Sequence, residues 1–133
     1  MRRAWFLGLV AAGALGAVGC GSDDHPNENR PPAPIEMTAK VTKQEVTLSP
    51  TEVGAGLANI TLANLSSDPV TLTLEGPDSL SGPTIAAHNV GTLKFDLSEG
   101  TYSVSAGAES SAAPTELEVG PERPSSQNEL LLP

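Results

Sequence analysis

The sequence predicts an all-β domain built as a two-layer sandwich, and three observations carry that prediction. Between Ile35 and about Gly120 the apolar residues alternate with polar ones, two by two along short runs. The runs are separated by Pro, Gly, Ser and Asp. No segment sustains a helical period. Strict alternation gives each strand one buried and one wet face, as in an antiparallel sandwich.

In chain order the expected strands are Met37–Leu48, Leu57–Leu65, Val70–Glu75, Val90–Leu97, Thr101–Ala106 and Glu116–Val119. The inward residues are Ile60 and Leu62, then Val70, Leu72 and Leu74, then Leu93, Phe95 and Leu97. Tyr102, Val104, Leu117 and Val119 complete the set. Threonine crowds the other parity, which suits a solvated β surface. Ser66-Ser67-Asp68-Pro69 and Gly76-Pro77 read as turns, and Ser98-Glu99-Gly100 reads as a short hairpin. About 85 residues suffice for one small core. Only Phe95 and Tyr102 are aromatic in it, so its packing is aliphatic.

The flanks read differently. Arg2 and Arg3 precede an apolar run, Ala4 to Val18, of 15 residues. A spanning helix needs roughly 20, so this run fits a cleaved export signal, residues 1–19. Ala17-Val18-Gly19-Cys20 resembles the bacterial lipobox, with Ala17 where that motif prefers leucine. The resemblance implies that Cys20, the sole cysteine, carries a lipid such as palmitate and becomes the first residue of an extracytoplasmic, membrane-anchored lipoprotein. A lone cysteine in an exported chain has no internal disulfide partner, and acylation accounts for it. Two or three acyl chains, at about 0.8 kcal/mol per buried methylene, hold a protein firmly where one does not. Residues 20–34 hold four prolines, several charges and almost nothing apolar, which makes them a tether. His25 lies in it as a solvated linker residue. The domain then occupies 35–120 and a polar tail 121–133, whose Leu130-Leu131-Leu132 is expected to dock on the sandwich.

Sixteen acids against seven Lys and Arg give a formal charge of −9. Removing residues 1–19 takes away two arginines and no acid, leaving −11. That balance excludes nucleic acid as a partner, because neutralising phosphates needs clustered cations. It also disfavours adhesion to anionic lipid headgroups.

From Val46-Thr47-Leu48-Ser49-Pro50 through Gly56, and again at Ile60-Thr61-Leu62-Ala63-Asn64, the chain resembles the opening of bacterial cupredoxin-like domains. Pro69, Glu75-Gly76-Pro77 and Leu97-Ser98-Glu99-Gly100-Thr101-Tyr102-Ser103-Val104 continue the likeness. The resemblance implies a cupredoxin-like Greek-key β-sandwich. Copper-binding members place histidine just after that proline and cysteine two residues beyond the valine, with further His and Met ligands. Here those positions hold Val70 and Ala106. A site of this type needs a thiolate and two imidazoles, and past the tether the chain offers only His88 and no cysteine.

Nothing else points to catalysis. His88 stands in a loop before a strand, and Glu75, Asp78 and Asp96 are spread over turns and strand ends rather than paired. Ser66-Ser67 and Ser110-Ser111 lack the context of an activated nucleophile. Asn59-Ile60-Thr61 and Asn64-Leu65-Ser66 have the form of glycosylation sequons, which a bacterial lipoprotein does not use. The expected function is therefore a non-enzymatic binding or structural module with no metal and no cofactor, beyond the lipid, held on the cell membrane beside an envelope protein partner. The alternative is a metal-handling or electron-transfer accessory in which His88 and a partner's residues supply the ligands.

Overall fold

A computed structural model describes residues 30–125 of the chain. Cys20, His25 and Leu130-Leu131-Leu132, with the expectations placed on them, lie outside those residues. The described part contains β1 (Ile35–Val41), β2 (Val46–Ser49), β3 (Glu52–Gly54), β4 (Gly56–Asn64) and β5 (Val70–Glu75). It continues with β6 (Ser79–Ile85), β7 (Val90–Leu97), β8 (Gly100–Ser105) and β9 (Thr115–Gly120). They form two sheets, ordered β2-β1-β4-β7 and β3-β9-β8-β5-β6. The expected all-β sandwich is what these strands build.

Alternation chose the inner faces correctly. Ile60, Leu62, Leu72, Leu74, Tyr102, Val104 and Leu117 are sealed from solvent between the sheets. Each such side chain stabilises the fold by about 1.5–3 kcal/mol relative to exposure.

The strand expected over Met37–Leu48 is divided. Met37, Ala39 and Val41 are buried on one parity, Val46 and Leu48 on the other. That switch forces a reversal at Thr42–Glu45, where Thr42 Oγ1 accepts the N–H groups of Gln44 (3.2 Å) and Glu45 (3.1 Å). β1 and β2 then pair antiparallel. Beyond Pro50, whose peptide bond to Ser49 is cis, the chain leaves the first sheet and enters the second as β3.

The sheets are mixed rather than purely antiparallel. β1 runs parallel to β4 and β3 parallel to β9, because the chain visits the opposite edge or layer between each pair. The hairpin expected at Ser98-Glu99-Gly100 is also corrected. β7 ends one sheet and β8 lies within the other, so these residues arch from layer to layer. β6 was not expected at all. Its Ser, Gly and Pro content hides it, and a register shift between Thr71 and Thr73 marks its pairing with β5.

After β9 the chain does not leave the domain at once. Arg123 Nη2 donates to the carbonyl of Ala33 at 2.9 Å, and Ser125 is buried. The exit from β9 therefore lies beside the entrance to β1.

Candidate functional site

At the far end of β1 three connections surround a cleft of about 690 Å³. They are the β1–β2 turn, the β4–β5 turn and the loop joining β8 to β9. β1 is seven residues long, so the cleft opens about 23 Å from the point where the N-terminal segment joins the sandwich.

The β8–β9 loop is fixed by its backbone. Ser110 N–H reaches Gly107 O at 3.2 Å, with Gly107 at φ 92° where a side chain would be strained. Further along, Ala113 N–H donates to Gln44 O at 2.7 Å and Val46 N–H to Ala113 O at 2.9 Å. These bonds clip the loop to the β1–β2 turn, and Ser111 Oγ adds a donor to Lys43 O at 3.4 Å.

The opposite wall is held by Asn64, which is fully buried. Its Nδ2 donates to the carbonyls of Asp68 (2.8 Å), Ile85 (3.1 Å) and Ala86 (3.1 Å). Its Oδ1 accepts from Ser66 N–H (3.0 Å) and Ser66 Oγ (2.7 Å). One amide thus ties the β4–β5 turn to the β6–β7 turn, and a side chain with that many buried partners is structural, not a glycan acceptor. The sequon reading gave no hint of this role. The signal was available in a polar residue ending an inward-facing strand parity after Ile60 and Leu62.

Val70 and Ala106, far apart in sequence, both line this cleft and are each 4% exposed. They are the positions that the cupredoxin-like resemblance singles out as ligand positions. Neither carries a lone pair. His88 sits at φ 59° in an exposed turn closed by Asn89 N–H to Ala86 O at 3.2 Å. Among the described residues no group of three His, Cys, Asp or Glu side chains converges as metal ligands. The donor set does not fit a thiolate–imidazole copper centre.

What the cleft does offer is hydroxyls. Thr71 and Thr84 share a hydrogen bond of 2.8 Å on its β5–β6 side. Ser110 and Ser111 line the loop side, with one ammonium, Lys43, and two carboxylates, Asp68 and Glu109. With an aliphatic floor and a polar rim, the cleft is suited to holding a small polar molecule or a partner's loop through hydrogen bonds. Among the described residues no hydroxyl of the cleft is hydrogen-bonded to a carboxylate or imidazole side chain.

The remaining carboxylate of note lies at the other end. Asp78 Oδ2 accepts a short hydrogen bond from Ser98 Oγ and a longer one, 3.5 Å, from Tyr102 OH. Tyr102 OH in turn accepts Ser98 N–H at 3.0 Å. This set staples the β7–β8 arch. Glu75 and Asp96 have no part in it.

No protein-family model and no curated protein matches the chain. Among solved structures, a crystal structure of a multicopper oxidase aligns at TM-score 0.47 and 16% identity. The alignment covers 67% of this chain and 43% of that one, so this chain corresponds to less than half of the oxidase. At that score the likeness adds nothing to what the strand order shows.

Proposed function

We infer that the protein is a membrane-anchored lipoprotein of the bacterial envelope whose cupredoxin-like sandwich serves as a non-catalytic binding module without copper. Lipid on Cys20 and the tether through Pro34 join the sandwich at the start of β1. The cleft opens at the other end of that strand, so an anchored molecule presents it away from its attachment point. The observation that carries the reading is the cleft itself: Val70 and Ala106, which the cupredoxin-like resemblance gives as ligand positions, both line it as aliphatic residues beneath a rim of hydroxyls.

Two readouts test this. Mass spectrometry of the wild-type chain should find an N-terminal peptide beginning at an acylated Cys20. Cys20→Ser should abolish lipid incorporation. A free Cys20 thiol or a different mature N-terminus would refute the anchor. For the cleft, cross-linking in native membranes should capture an envelope protein with wild type but not with Thr84→Arg, a substitution at an exposed cleft residue. Equal capture by both would refute the cleft as the binding surface.

A further inference from the structure

We propose that the free edge of β7 is a self-association surface, where a second copy of this chain adds its own β7 antiparallel about a twofold axis at Phe95. The proposal depends neither on the cleft nor on the lipid.

β7 is the last strand of its sheet, hydrogen-bonded to β4 on one side and, among the described residues, to no strand on the other. An unpaired edge is a template for another strand unless it is blunted by proline, a bulge or charged side chains, lysine above all. One edge of the other sheet, β6, is blunted by Pro83 and by the register shift opposite β5. β7 has no proline and no register shift opposite β4; its charges, Lys94 and Asp96, guard the edge except in a register that sets each against the opposite sign. β6 meets it through the inward side chains Leu93 and Phe95, against which Gly82 packs, rather than along its edge.

The outward face of β7 carries Val90, Thr92, Lys94 and Asp96, all exposed. Val90, at 67%, is the most exposed of the large hydrophobics among the described residues. Neither Lys94 nor Asp96 has an ion-pair partner among the described residues. In an antiparallel pair centred on Phe95, Lys94 of each copy lies directly opposite Asp96 of the other. Directly opposed residues on one face are the unit of sheet stabilisation, and opposite charges there are favourable. Leu93 stands opposite Leu97 on the inner side, so this register keeps apolar residues on one face.

Other registers are disfavoured by the same chemistry. A centre on Lys94 or on Asp96 sets like charges against each other. A centre on Leu93 leaves both charges opposite uncharged residues. A slip of one residue turns apolar residues outward. The twofold axis also inverts one copy relative to the other. If Cys20 is the anchor, residues 20–34 can extend to about 50 Å. That exceeds the ~26 Å length of β7, so both copies reach one membrane.

The experiment uses the mature chain from residue 20 with Cys20→Ser, so that neither signal nor lipid drives association. Sedimentation equilibrium at micromolar concentration should give a dimer. A carbodiimide, which condenses an amine with a carboxylate in contact, should yield a Lys94–Asp96 cross-linked peptide. Lys94→Asp and Asp96→Lys should each weaken dimerisation at least tenfold, and the two combined should restore it. Circular dichroism should be unchanged, since both residues are exposed. A chain that stays monomeric, or a dimer indifferent to either single reversal, or a combined variant that fails to recover, would overturn the proposal.

Discussion

Asn64→Ala should lower the unfolding free energy by about 2–4 kcal/mol, measured by urea denaturation with an unchanged slope. The substitution removes the donor to three carbonyls and the acceptor for both hydrogen-bonding groups of Ser66, all at a position closed to water. Buried polar groups left without partners cost far more than an exposed hydrogen bond is worth. For a domain of this size the loss corresponds to a fall in Tm of about 10–25 °C. Asn64→Asp should not rescue it, because a carboxylate would face three carbonyl oxygens and supply no donor. A change under about 1 kcal/mol would show that the two turns are held by something other than this amide.

Gly100→Ala should cost about 2–4 kcal/mol by the same measurement. Gly100 holds φ at 143°, a conformation that residues with a side chain rarely adopt. An added Cβ would also overlap Pro77 Cγ. The arch has little freedom to yield, since Ser98 and Tyr102 bind one another and Asp78 across it. Gly120→Ala is the control. A Cβ there meets only Val53 O at 3.7 Å, an ordinary contact, so the expected change is within about 0.5 kcal/mol. Equal effects at the two positions would contradict this account of the arch.

These two residues also mark what could be seen in the chain beforehand. The β class and the inward residues were legible because period-two alternation is a local property, read from Leu72 and Leu74 or Leu93 and Phe95 without knowing any partner. The division of Met37–Leu48 was legible in principle, because the apolar parity changes between Val41 and Val46. Pairing was not. Whether Leu97-Ser98-Glu99-Gly100 closes a hairpin or arches between layers depends on which strands lie beside β7 and β8, a long-range fact that no short window contains. β6 escaped because an edge strand needs few apolar residues, and Ser79 to Ile85 has only two. The cleft was half legible. Val70 and Ala106 could be singled out by resemblance, but Thr42, Lys43, Thr84 and Ser111 join them only through folding.

The proposed function holds that the cleft carrying Val70 and Ala106 binds no copper. The most direct test is metal analysis with visible spectroscopy on protein purified from membranes and supplied with copper. The expected result is no stoichiometric copper and no strong charge-transfer band, because Val70 and Ala106 offer no donor and the sole thiol is at Cys20. One tightly held copper per chain, with an intense visible band, would contradict it.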